Sequence, residues 1–260
     1  MNPAMKVLLA AASILVLLGT VHPSPPVTPE LAEIPEGGYA VLMYHKVHGP
    51  GCMEPWIEEW DITLARFLEH LDYLLDNGYA FITFHDINQE NYDPSGKNVI
   101  LTFDDGSDTH FDVVRPALNE RGIHGVFYVV AGSIGWEGVL DAGRIQTMID
   151  EGHEIGSHMV SHLDLTELTV EEIEFQLFES KATLESMFEA PGGGPYEVVS
   201  CAYPYCEADD RVYTLLEENE WYAFGVDCDE DYNLWADLPA RPFEINRFTV
   251  NLEFLIEQFF

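Results

Sequence analysis

Val99-Ile100-Leu101-Thr102-Phe103-Asp104-Asp105-Gly106 is the stretch that decides the fold. Its first five residues are apolar, β-branched or aromatic and read as a buried strand. That strand hands over without a break to two carboxylates and a glycine. In parallel α/β architectures the carboxyl end of a strand is where active sites are built. Outward from this point the pattern alternates. Residues 39–45, 79–84, 126–130, 153–157, 198–203, 222–226 and 245–250 read as strands. Residues 64–75, 111–121 (with Pro116 inside), 142–150, 169–189 and 211–218 carry apolar residues at helical spacing. The clearest helix, 169–189, opens with the capping-box pair Thr169 and Glu172 and puts Ile173, Leu177, Leu184 and Phe188 on one face. Strands alternating with helices, with no internal repeat, predict an α/β domain around a parallel sheet, open or closed.

A chain of 260 residues, 47% of them hydrophobic, supplies one sizeable core. The N-terminus stands apart. Lys6 precedes an apolar run from Val7 to Leu18, shorter than the roughly 20 residues of a membrane span. Residues 1–21 are therefore expected to be a signal peptide or, since Gly19-Thr20-Val21 offers no clear cleavage site, an N-terminal anchor attached to the membrane. Either role places the protein outside the cytoplasm, secreted or in the cell envelope. Pro23, Pro25, Pro26, Pro29 and Pro35 make residues 22–37 a Pro-rich linker, leaving 38–260 as the folded domain.

Eleven Lys plus Arg against 46 Asp plus Glu give a formal net charge of −35. Such a chain is repelled by nucleic acid and by anionic lipid. The acids are spread along the sequence, so they read as a solvated surface rather than a docking site for a cationic polymer. Cys52, Cys201, Cys206 and Cys228 allow two disulfides in an exported chain. No Cys-x-x-Cys spacing marks a thiolate metal site.

Asp104 and Asp105 alone are ambiguous: two metal ligands, a ligand and a base, or a helix-capping turn. A second motif, Gly156-Ser157-His158-Met159-Val160-Ser161-His162, also follows a strand-like run. Two His four apart converge on one ion if the chain between them is helical or tightly turned. With ten His in the chain this spacing is weak by itself. Together the motifs offer Asp, His and His to one ion, leaving a fourth position open, as in a catalytic zinc site.

In this order and about 50 residues apart, the two motifs resemble those of the polysaccharide deacetylases, carbohydrate esterase family 4. The likeness runs from Gly38 to Val250. It includes Val41-Leu42-Met43-Tyr44-His45, Gly152-His153-Glu154-Ile155-Gly156-Ser157-His158, Tyr203-Pro204-Tyr205 and Ile245-Asn246-Arg247-Phe248. The Tyr-His start is similar to the branch acting on poly-β-1,6-N-acetylglucosamine. The resemblance implies a single catalytic domain, a distorted (β/α)7 barrel with a divalent metal at the carboxyl ends of its strands. It implies Asp105, His158 and His162 as metal ligands, Asp104 as general base and the Tyr205 backbone N–H as oxyanion donor. Zn2+ is the default ion, and Co2+, Ni2+ or Fe2+ suit the same ligands.

Two departures follow. Ala202 stands where the family places the arginine that orients the base, and Arg247 is the candidate replacement. No His follows His162, so the family's C-terminal acid is missing. In a closed barrel the first strand lies beside the last, which makes His45 the candidate acid. Cys206 stands where the branch has glycine. Cys206 and Cys228 follow strands expected to be neighbours and are the expected disulfide. Trp56, Trp136, Trp235 and Tyr205 are aromatics that could line a sugar-binding groove; such residues are more often core, and Tyr205 alone is taken as facing substrate. The implied reaction is N-deacetylation of an N-acetylglucosamine polymer, releasing acetate. The alternatives are peptidoglycan, chitin oligomers or O-acetyl esters as substrate, or a non-catalytic polysaccharide-binding protein of the same fold.

Overall fold

Burial on both faces is what makes an all-apolar strand stable, and Gly38–Tyr44 (β1) is buried at every residue. The computed structural model describes residues 34–50, 59–229, 231–251, 254 and 256–258. The expected leader, nearly all of the linker, Cys52 and Trp56 lie outside the described residues. Beyond β1, the strands of the barrel are Asn98–Phe103 (β2), Val126–Val129 (β3), Glu154–Ser157 (β4), Ser200–Ala202 (β5), Phe224–Val226 (β6) and Phe248–Thr249 (β7).

All of these pair in parallel, in the order β7-β1-β2-β3-β4-β5-β6. Register is set along β1, where Val41 faces Ile100 and Tyr44 faces Phe103. The ring closes through the segment that carries β7. Leu42 pairs with Phe248 on one side, and a single parallel bridge joins Val226 to Ile245 on the other. Seven parallel strands closed by so thin a seam form a distorted (β/α)7 barrel, as the family resemblance implies; the strand–helix pattern alone leaves the sheet open or closed. Asn233–Leu234 pairs antiparallel with the start of β1.

Helices cover the outside. Thr63 caps Leu64–Asp76 (α1), which buries Phe67, His70, Leu71 and Leu74 on one face. Phe84–Asn88 (α2), Arg115–Asn119 (α3), Ala142–Asp150 (α4), Val170–Met187 (α5) and Asp210–Asn219 (α6) follow. The Thr169–Glu172 capping box opens α5 as its spacing predicts. Each fully buried Leu or Phe on these faces contributes about 1.5–3 kcal/mol.

Three elements depart from the sequence reading. Only Ala80–Phe81 of the expected 79–84 strand pairs as a strand. Thr83 and Asp86 form a reciprocal capping box and turn the chain into α2, so local capping overrides the β-propensity of the run. The expected 111–121 helix is a π-turn over His110–Val114 followed by α3, with Pro116 at its start, where a missing N–H costs nothing. The last strand shrinks from 245–250 to two residues and a bridge.

Candidate metal centre and pocket

The ends of β1, β2, β4 and β7 meet at one mouth of the barrel. Asp104 and Asp105 follow β2 directly. Asp104 is 2% exposed, and Arg247, just before β7, is fully buried beside it. Arg247 Nη1 donates to Asp104 Oδ1 at 2.8 Å and to Thr102 Oγ1 at 3.3 Å, while its Nε donates to the Asp227 carbonyl at 2.9 Å. Burial raises the Asp104 carboxyl, but the charges of Arg247 and His158 more than offset this and hold it below the ordinary carboxylate range.

Asp105 has a left-handed backbone, φ 75°, and its carboxylate faces the same His158 Nε2 that Asp104 Oδ2 approaches to 4.0 Å. Asp105 Oδ1 lies 3.5 Å from His158 Nε2 and 3.2 Å from His162 Nε2, and the three ligand atoms fall within 4.8 Å of one another. Donor atoms about 2.1 Å from a tetrahedral ion sit about 3.4 Å apart, so the two Asp–His separations match one small divalent cation, and the widest pair of the cluster, within 4.8 Å, would draw in around it. The chemistry of the set fits as well. His158 Nδ1 donates to the Ala202 carbonyl at 2.8 Å, which leaves the Nε2 lone pair facing Asp105. Burial lowers the His158 pKa, and the Asp105 and Asp104 carboxylates outweigh that and raise it. The attraction that favours a proton at this Nε2 equally favours a metal cation. Burial also opposes the Asp105 charge, while the adjacent His158 and His162 imidazoles hold its carboxyl far below the usual range.

The two His converge through a tight turn, not a helix: Met159 and His162 both have positive φ, 63° and 50°. Gln176 on α5 holds that turn, its Oε1 accepting from the Val160 and Ser161 N–H groups at 3.0 Å each. Left-handed backbone costs a non-glycine residue energy, and such strain clusters at functional sites. Seven non-glycine residues with positive φ occur among the described residues, and five of them (Asp105, Met159, His162, Tyr205 and Cys206) surround this centre.

A cavity of about 460 Å³ opens above it, lined by Asp104, Asp105, His158, His162, His45 and Tyr205 together with Met43, Trp60, Tyr203, Thr249 and two cysteines. Every candidate site residue thus lines one cavity except Arg247, which lies buried behind Asp104. The β1–β7 pairing brings His45 here from the start of the domain. His45 Nδ1 is buried without a hydrogen-bond partner among the described residues, and the His45 carbonyl accepts from His110 Nε2 at 2.9 Å. Tyr205, 65% exposed, packs edge-on against His162 with ring centres 4.8 Å apart. Cys206 and Cys228 form the expected disulfide, and Cys201 is a buried thiol.

Trp235 stacks on Tyr39 and Tyr92 away from this mouth, whereas Trp136 is 68% exposed, against the expectation of a core residue. Gln176, His110 and Trp60 escaped the sequence reading. Gln176 left a signal, a polar side chain one turn from Ile173 on the apolar face of α5. His110 and Trp60 left none.

The profile of the polysaccharide deacetylase family matches residues 91–223, just over half of the chain, and the chain belongs to this family. YxkH of Bacillus subtilis (strain 168), named as a candidate polysaccharide deacetylase, is 28% identical over 189 residues, 72% of this chain and 63% of the relative. The peptidoglycan-N-acetylglucosamine deacetylase PgdA of Listeria monocytogenes is 28% identical over 102 residues, 39% of this chain and 20% of the relative. The chain spans less than two thirds of either protein's length. Among solved structures, a polysaccharide deacetylase from Bacillus cereus superposes with a TM-score of 0.73 at 25% identity, covering 86% of this chain and 68% of that one. IcaB from Ammonifex degensii shares the fold, with a TM-score of 0.70 at 23% identity over 85% of this chain and 95% of that one. Among the described residues no helix is long and apolar enough to cross a membrane.

Proposed function

We propose that this protein removes N-acetyl groups from an N-acetylglucosamine-containing polysaccharide by hydrolysis, releasing acetate. The observation that carries the reading is the pairing of an Asp-His-His cluster with a second, ionised carboxylate held by a buried arginine at one cavity. Asp105, His158 and His162 would hold a divalent ion, Zn2+ first. Such an ion supplies Lewis acidity and makes water nucleophilic near neutral pH.

The remaining work falls to the chain's own groups. Asp104 Oδ1 is pinned by Arg247, so Oδ2 is the oxygen that accepts the proton of the attacking water. Arg247 fixes the carboxylate and keeps it ionised inside the barrel. The Tyr205 backbone N–H, held by the left-handed turn, donates to the oxygen that becomes anionic as the acetamide carbonyl is attacked. The His45 imidazole protonates the leaving amine, its backbone braced by His110. The polymer named for PgdA lies outside the cytoplasm, which supports an extracytoplasmic site of action for this chain too.

Acetate release from poly-β-1,6-N-acetylglucosamine, chitin oligomers and peptidoglycan, with and without chelator and added Zn2+, tests the proposal. Release that depends on metal and falls by about 10²–10⁴ in Asp104→Asn is expected. Unchanged release after metal stripping, or none from any polymer, overturns it. The panel also separates the substrates: peptidoglycan alone as the active polymer would transfer the substrate of PgdA to this chain.

A further inference from the structure

The Cys206–Cys228 disulfide lies in the wall of the cavity, and its two ends belong to different parts of the proposed machinery. Cys206 ends the short turn Pro204–Cys206 that follows β5 and aims the Tyr205 N–H. Tyr205 and Cys206 are consecutive left-handed residues, φ 58° and 61°. Glycine adopts that conformation freely and cysteine does not, so the turn relaxes unless something holds it. Cys228 lies two residues beyond β6. Its Sγ is 3.8 Å from Arg247 Nη2 and 3.6 Å from Met43 Sδ, and the carbonyl of Asp227 before it accepts from Arg247 Nε at 2.9 Å. Cys228 N–H in turn donates to Asp227 Oδ1 at 2.7 Å.

We propose that the Cys206–Cys228 bond is a positioning element of the active site: it holds the Tyr205 turn left-handed and seats Arg247 against Asp104 from the other side. One covalent link then couples the oxyanion donor to the group that orients the base. A staple that served stability alone could join any two neighbouring loops. This one joins the two that must be in register with the attacked carbonyl and its base. The inference rests on the deacetylase reading for its kinetic consequence but not for its structural one.

The test uses the full metal-loaded chain, comparing wild type with Cys206→Ser/Cys228→Ser and Cys206→Gly/Cys228→Ser. Hydrogen exchange is read on peptides covering 203–208 and 225–229, and kcat and KM on the active polymer, each well below the variant's melting temperature. The serine pair should speed exchange in both segments while β2 and β3 stay protected. It should lower kcat by on the order of 10- to 100-fold with KM within about threefold, as expected for misplaced groups rather than lost binding. The glycine variant should regain part of that kcat, because glycine takes φ near +60° without the cross-link. It should remain as heat-labile as the serine pair, which separates positioning from stability. Should the serine pair fail to fold, reversible reduction of the folded wild type gives the same readout, with mass spectrometry reporting the open disulfide. Wild-type exchange in both segments once the link is gone overturns the inference, as does a kcat loss that glycine leaves unrelieved. If the wild type releases no acetate, the deacetylase reading fails by itself and exchange still decides the positioning role.

Discussion

Replacing Arg247 by Met tests the electrostatics at the heart of the barrel. Met keeps much of the apolar volume and removes the guanidinium. Arg247 is wholly buried and Asp104 nearly so, with 2.8 Å between Nη1 and Oδ1. Removing one partner of a buried pair strands the other charge and costs about 3–5 kcal/mol. At about 2–4 °C per kcal/mol for a chain of this size, that lowers Tm by roughly 10 °C. The loss depends on pH with a definite sign. In the wild type Arg247 holds the Asp104 carboxyl below its ordinary range, so the pair stabilises the fold above the unfolded Asp range and the benefit fades as pH falls. In Arg247→Met burial acts with less opposition and the carboxyl rises, so acidification neutralises the stranded charge. The difference between wild type and variant should therefore be largest near neutrality and shrink toward acid. Urea denaturation followed by tryptophan fluorescence at fixed ionic strength measures it, and Arg247→Met/Asp104→Asn should recover most of the loss. A cost below about 1 kcal/mol, or one that neither acid nor the second substitution relieves, refutes the reasoning.

The other expected outcomes are these. His158→Ala and His162→Ala should each weaken divalent-metal retention at least about tenfold in equilibrium dialysis, with His158, held by the Ala202 carbonyl, the more damaging. Burial pushes the imidazoles of His70, His110 and His153 down to about 4. The unfolded value is near 6.5, so the unfolded chain binds more protons between these limits. Stability present above pH 6.5 should drain away as pH falls toward 4, by about 3 kcal/mol per His, and His110→Phe should flatten the fall in a series of urea midpoints. Gly225→Ala should destabilise by about 1–3 kcal/mol, because a Cβ there meets the Tyr203 hydroxyl, and Tyr203→Phe should relieve part of it in thermal melts.

Much of the barrel was legible because its strands are buried on both faces. Val99–Phe103 has one reading, and the acids after it can only sit at the strand's end. The Thr169–Glu172 box fixed the start of α5 for a local reason that no tertiary contact disturbs. Residues 79–84 misled because side-chain capping at Thr83 and Asp86 competes with an apolar run and wins. The candidate site was legible where its residues are neighbours in sequence, as with Asp104 and Asp105 or His158 and His162. Partners far apart in the chain needed the closed ring. Arg247 on Asp104 bridges 143 residues, and spacing carries no trace of such a contact. Gln176 was visible only as a polar residue on an apolar face, and its grip on the His158–His162 turn comes from the docking of α5.

The seam of the barrel has one further consequence. Residues 245–249 hold the ring together with a two-residue strand and one bridge, and they also carry Arg247. A segment tied by so few backbone hydrogen bonds opens in local fluctuations that leave longer pairings such as β1–β2 intact. The arginine leaves Asp104 whenever the seam opens. On heating, the protein should then lose its chemistry before it loses its shape, so that inactivation precedes the melting of secondary structure and reverses on cooling.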